Sequence, residues 1–296
     1  MIRKDNFKMR KIAVIFIVFL ILNLFFGCIN KKIFVVETAA HRTEAIIVDH
    51  TCTDITKIPN HWINKAKADF GISYGHTSHG SQVVSGMEAL SANSKIYSFG
   101  NYNSKNSLTI YDREPSGDLG NPDRKTWATR TRDLLDNGWG DTNLIMWSWC
   151  GQVSSASEKD IKTYLSLMAQ LEEDYPSVVF IYMTGHLDGS GESGNLHIRN
   201  NQIRDYCLKN NKILFDFADI ESYDPDGNYF LNKGSNDHCD YWKNGNRRNW
   251  ADEWCDRNPG KCTQYRCAHS EPLNCDLKAK AFWWMMAKLA GWSPGK

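Results

Sequence analysis

Short, strongly apolar runs alternate with amphipathic segments from about residue 45 to residue 217, and this alternation limits the possible folds more than any other feature. Residues 45–49, 70–74, 143–149, 178–183 and 213–217 read as buried strands. Residues 59–68, 81–90, 125–136, 158–174 and 196–209 read as the helices between them. Strands that are apolar at every position, not just at alternate ones, need cover on both faces. The expected fold is therefore α/β: three α/β/α layers around a mainly parallel sheet of about five strands. Residues 91–124, rich in Gly, Asn and Asp, read as a long excursion. The polar, Cys-rich stretch 220–275 reads as a lobe inserted before a last helix at 277–289, where Phe282, Trp283, Trp284, Met285 and Met286 demand burial. One domain over 44–292 accounts for all of these elements.

The N-terminal segment has a different character. Residues 1–11 carry Arg3, Lys4, Lys8, Arg10 and Lys11 against Asp5, and residues 12–26 are apolar except for Asn23. A basic head before roughly 15 apolar residues has the form of an export signal, and it is short of the about 20 residues of a spanning helix. The run stops at Gly27 and Cys28, which resemble the lipid-attachment box of bacterial lipoproteins. Phe25 and Phe26 stand where Leu and a small residue are usual. The expectation is a lipoprotein signal over 1–28 with lipidation of Cys28, a tether over 29–43, and an extracytoplasmic location, at the cell surface or secreted. Plain cleavage near Cys28 and an uncleaved anchor are the rivals. The membrane enters only through this anchor.

Cysteine usage agrees with export. Of nine cysteines, setting Cys28 aside leaves Cys52, Cys150, Cys207, Cys239, Cys255, Cys262, Cys267 and Cys275, an even set that suggests disulfides. The last five follow one another at spacings x15, x6, x4 and x7 without a C-x-x-C pair, so cross-links are favoured over zinc. At least two disulfides are expected among them. The formal net charge of +1 and the lack of a basic run in the mature part leave nucleic acid without support as a partner. Eleven tryptophans are mostly core material, although exported sugar-handling proteins also use exposed aromatic faces.

In an open parallel sheet, ligands bind at the carboxyl ends of the strands. The residues placed there are His50 to Cys52, Gly75 to Gly80, Cys150 to Gln152, Thr184 to Asp188, and Asp219. The stretch 72–82 runs from a strand through a tight turn with His76, Ser78 and His79 into a helix. Such a turn can lift the Ser78 hydroxyl above the sheet and aim helix N–H groups at a developing oxyanion. The plainer reading is a glycine-rich turn with a serine cap. His269 stands on a loop before the last helix, where an imidazole that titrates near neutrality can serve Ser78 as general base. Its plainer reading is a surface histidine in a turn.

Taken in order, these segments resemble the Ser-Gly-Asn-His (SGNH) hydrolase superfamily of esterases. The resemblance is to a branch whose first block reads His-His-Ser-Thr/Cys-Gly. Here that block is His76-Thr77-Ser78-His79-Gly80; the next matches are Met146 to Gly151, Tyr182 to Leu187, and His269 ahead of the final helix. The resemblance implies a serine hydrolase without cofactor, acting on a small ester, such as an O-acetyl group on a carbohydrate. Ser78 would be the nucleophile, His269 the base and the Gly151 N–H an oxyanion donor. His186 would stand among the catalytic groups, with His76, His79, Asp188 and Asn195 around the substrate. Two positions depart from the pattern: Gly185-His186 stands where an oxyanion Asn is usual, and Arg266 where an Asp would orient the base. Two other functions compete. His76, His79 and His186, with His269 and Asp188, could hold a metal for hydrolysis, and a Trp-rich lobe could bind glycan without catalysis.

If Cys28 is lipidated, Cys28→Ser should move the protein from the membrane to soluble or unprocessed fractions on cell fractionation. Unchanged membrane attachment with the same processing would favour a plain anchor.

Overall fold

The computed structural model describes residues 42–101, 104, 106–138 and 140–295. The expectations for the signal, for Cys28 and for the tether up to residue 41 lie outside them. The strands are β1 (Ile46–Val48), β2 (Gly71–Gly75), β3 (Phe99–Gly100), β4 (Leu108–Asp112), β5 (Leu144–Trp147), β6 (Val179–Met183) and β7 (Ile213–Phe215). They form one seven-stranded sheet in the order β1-β7-β6-β5-β2-β4-β3, with every pair parallel. Every residue of β2, β5, β6 and β7 is buried, as a parallel sheet layered on both faces requires.

The five expected strands are present, and β3 and β4 extend the sheet on one side. Both come from the stretch read as an excursion. β4 is buried only over its first three residues, and β3 has two residues whose strand identity comes from pairing with β4. Neither is long or apolar enough to stand out from its Asn- and Ser-rich flanks.

Around the sheet lie α1 (Asn60–Asp69), α2 (Ser81–Asn93), α3 (Thr126–Asp136), α4 (Glu158–Asp174), α5 (Asn195–Lys209), the short α6 (Phe217–Ile220), α7 (Trp250–Arg257) and α8 (Pro272–Leu289). α1 and α2 pack on α8, while α3, α4 and α5 pack side by side. α4 opens with a capping box, in which Ser157 and Asp160 satisfy each other's backbone N–H. α8 starts at Pro272 instead of near residue 277, because a proline at a helix start loses no intrahelical hydrogen bond. Gly86 lets α2 approach α8: a Cβ there would collide with the Cys275 carbonyl. Phe282, Trp283, Met285 and Met286 are all buried, each large side chain contributing roughly 1.5–3 kcal/mol. Among the described residues no helix is long and apolar enough to cross a membrane.

The lobe holds more apolar material than its polar composition suggests. β8 (Asp240–Lys243) and β9 (Asn246–Asn249) form an antiparallel hairpin that leads into α7. Phe230 lies 4.9 Å from Tyr241 and 5.8 Å from Trp250, ring centre to ring centre, and the Lys233 ammonium sits 4.4 Å above the Phe230 ring. A few large side chains thus make a small core. Disulfides Cys255–Cys262 and Cys267–Cys275 close the remaining loops, with Cα separations of 5.8 and 6.3 Å. Loops this short are each stabilised by about 2–3 kcal/mol. Cys52, Cys150, Cys207 and Cys239 are free thiols, and only Cys150 is not buried.

Thiol titration of residues 42–295, unfolded without reductant, should therefore find the four free cysteines, and titration of the folded protein should find Cys150 alone. Eight titrating thiols in the unfolded chain would contradict the pairing.

Candidate active site

The order of the sheet reverses beside β2: the chain leaves β2 for β3 and β4 on one side and returns to β5 on the other. The crevice above adjacent strand ends at such a reversal is the usual ligand site of an open α/β sheet. Gly75 pairs in register with Trp147, and Ser148 N donates to Gly75 O at 2.9 Å. The loop into α2 and the loop after β5 therefore leave the sheet side by side. This places Cys150 Sγ 3.1 Å from His79 Nδ1 and 3.7 Å from Ser78 Oγ.

The other nitrogen of His79 is also held. Nε2 lies 3.0 Å from Asp237 Oδ2, and Asp237 Oδ1 takes a second hydrogen bond, from His238 Nδ1, at 2.9 Å. Asp237 belongs to the lobe, where its backbone N–H donates to Leu187 O at 3.1 Å. A thiol, an imidazole and a carboxylate thus stand in line, the arrangement of an activated nucleophile, its base and the group that orients the base. Buried Asp118 braces the two loops: one oxygen accepts from Thr77 Oγ1 at 2.8 Å, the other from Gln152 Nε2 at 3.1 Å. Gln152 in turn accepts from Cys150 N at 2.9 Å. Gly80 keeps the turn tight, since a Cβ there would run into the His76 side chain.

The charges favour an ion pair. The hydrogen bond from His79 brings the Cys150 thiol down to about 7 against the opposing effect of burial, with Ser78 helping. Burial disfavours a charged His79, but its bonds to Asp237 and Cys150 prevail and raise it to about 9. Burial likewise opposes the Asp237 carboxylate, yet bonds from His79 and His238 hold it down to about 2. Between about pH 7 and 9, Cys150 is a thiolate and His79 an imidazolium.

Two more histidines stack on His79. The His186 ring lies parallel to it, 3.7 Å away and tilted by 2°, and the His269 ring lies 4.7 Å away at 17°. His186 Nδ1 faces Leu187 O at 2.9 Å, so this nitrogen carries the proton, and among the described residues the buried Nε2 is left as a lone pair without a partner. Burial lowers the pKa of His186, which keeps it neutral beside the cationic His79. His269 holds φ 56° on an exposed loop, a left-handed conformation uncommon outside glycine.

Of the residues proposed from the sequence, Ser78, His79, His186 and His269 gather here, and exposed Gly151 follows Cys150 directly. Among the described residues, the hydrogen-bond contact of Ser78 Oγ is Cys150 Sγ and not His269. His76 is tied elsewhere, with Nε2 2.7 Å from Asp112 and Nδ1 2.7 Å from Thr77 O. Asp188 is exposed and accepts from Ser190 N at 2.9 Å within its own turn. Asn195 donates to Ser154 O and Ala156 O at 3.0 and 2.9 Å and so steadies the loop after β5. Asn200 spends both ends of its amide on Gly185, at 2.9 and 3.0 Å. The sequence places Cys150 at a strand end without a role, and it does not point to Asp237. For Cys150 a signal existed, a cysteine directly behind a buried strand; Asp237 had none.

Among the described residues, His79, His186 and Asp237 offer ligand atoms within 4.8 Å of one another, as do Asp49, His50 and Asp219. A metal at the usual Zn–N distance of about 2.0–2.1 Å lies in the plane of each imidazole it binds. Rings stacked in parallel 3.7 Å apart do not offer that. In the second group, His50 Nδ1 and N both contact Asp219 Oδ2, at 2.5 and 3.0 Å, while Asp49 caps Thr51 N at 2.9 Å. That group clasps the ends of β1 and β7. No family model matches the chain, and no curated protein sequence matches it.

Alkylation of native Cys150 by iodoacetamide should rise with pH through a midpoint of about 7, below the ordinary thiol value of 9.0. The sign follows from the lowered value: the thiolate forms above about 7 and is lost as pH falls through it. Asp237→Asn should move the midpoint upward, because it weakens the imidazolium that holds the thiolate. A wild-type midpoint near 9 would contradict this reading of the site.

Proposed function

We propose that the chain is an exported acyl hydrolase that acts through Cys150, with His79 as acid and base and Asp237 holding His79 in place. The observation that carries this reading is the unbroken line from Cys150 Sγ to His79 Nδ1, 3.1 Å, and from His79 Nε2 to Asp237 Oδ2, 3.0 Å. In the first half of the reaction the thiolate attacks the acyl carbon of an ester. The resulting oxyanion needs N–H donors, and the Gly151 N–H is at hand. As the carbon–oxygen bond breaks, His79 gives its proton to the leaving alkoxide, and a thioester remains on Cys150. In the second half His79 takes a proton from water, whose oxygen attacks the thioester; the acid leaves and the thiolate returns. The substrate class is that implied by the resemblance to SGNH esterases, a small acyl ester such as an O-acetyl group on a carbohydrate.

A second reading has one observation in its favour. Ser78 Oγ stands 3.7 Å from the same sulfur and next in sequence to His79, so a serine nucleophile would attack from nearly the same place. Single variants separate the two, with a generic acetyl ester as substrate. In the thiol reading Cys150→Ala and His79→Ala abolish turnover, and Asp237→Asn costs about 10²–10⁴-fold. Ser78→Ala and His269→Ala then keep most of the activity, with a pH optimum between about 7 and 9. Turnover lost in Ser78→Ala and kept in Cys150→Ala would replace the thiol reading with the serine one.

A further inference from the structure

We infer that Lys278 is a positioning residue that sets the geometry around His79 from inside the core; the inference rests on Cys150 acting as the nucleophile. Lys278 lies in α8 with its side chain 0% exposed, and it pairs with Glu221, also 0% exposed, at 2.5 Å. Its ammonium also donates to Gln82 Oε1 and sits 4.1 Å above the Phe217 ring. An ion pair this deep seldom stabilises a fold more than apolar side chains of the same size would, because desolvation offsets the attraction. Its partners show what else it does.

Each partner uses its other end on a loop of the active site. Glu221 Oε2 accepts from Leu187 N at 2.8 Å. The carbonyl of that same Leu187 accepts from His186 Nδ1 at 2.9 Å and from Asp237 N at 3.1 Å. Gln82 Nε2 donates to Ala268 O at 2.7 Å, next to the left-handed His269. Gln82 N also bonds to His79 O at 3.1 Å, in the first turn of α2. The ammonium therefore has two arms. One ends on Leu187, which holds His186 and Asp237; the other ends on the loop that carries His269. All three residues are in contact with the His79 ring. Apolar contacts could fill the same space but could not fix the direction of these carbonyl and amide groups.

The test is the pH profile of Cys150 alkylation, followed beside thermal unfolding, in the whole exported domain. Lys278→Met leaves the Glu221 carboxylate buried without its cation and frees the Leu187 arm. Its alkylation midpoint should rise by at least about one pH unit, and alkylation at pH 7 should slow about fivefold, the drop in thiolate fraction between midpoints of about 7 and 8. Gln82→Met keeps the ion pair and cuts only the His269 arm; it should raise the midpoint by about half a unit. Lys278→Met combined with Glu221→Gln restores a neutral acceptor for Leu187 N and should bring the midpoint back toward wild type. A residue with only a structural part would lower the unfolding temperature and leave the midpoint alone. A folded Lys278→Met protein with the wild-type midpoint overturns the inference. If that variant does not fold, an unchanged midpoint in Gln82→Met does so instead. A wild-type midpoint near 9 would remove the Cys150 reading itself, so the two failures are told apart.

Discussion

The pairing of β2 with β5 is the constraint on which the rest of the site depends. Gly75 and Trp147 end these strands in register, so their following loops start at the same height and cannot avoid each other. Gly75 itself is required there, because a Cβ would strike the Trp147 ring. The backbone bond from Ser148 to Gly75 carries the register one residue beyond the sheet. Cys150 and His79 meet because of that geometry, although neither is near the other in the chain.

The carboxylate comes from a different source. Asp237 belongs to the lobe, and it reaches His79 because Leu187, at the end of β6, accepts its backbone N–H. The lobe is stabilised by a small aromatic cluster and by two disulfides, one of which ties Cys267, just before His269, to Cys275 in α8. Sheet and lobe thus share one centre: the sheet supplies Cys150 and His79, the lobe Asp237 and His269. The buried network of Lys278, Glu221 and Gln82 joins the two parts underneath.

A thiolate–imidazolium pair also needs charge control around it. His186 can stack on His79 at 3.7 Å because burial and the Leu187 carbonyl keep it neutral, in one tautomer. A second cation at that distance would push the proton off His79 and the thiol back toward its ordinary value. The buried cysteines show the contrast. Among the described residues Cys52, Cys207 and Cys239 have no imidazolium beside them, and burial pushes each of their thiols up.

The sequence alone determined the α/β fold class, five of the strands and the helices between them, since continuous apolar runs such as 179–183 can be stable only between two covering layers. It also marked turns that meet above the sheet, because the residues after a buried strand end are local to it; Ser78, His79, His186 and Gly151 were placed there in that way. Disulfides in the lobe were legible from cysteine number, but not their pairing. β3 and β4 were not legible, because their strand character comes from neighbours in the sheet. The partner of His79 was decided only by the tertiary structure. Cys150 and Asp237 lie 71 and 158 residues from His79, and no local pattern links them to it. Their meeting depends on strand order and on one backbone bond to Leu187, and both are properties of the folded chain as a whole.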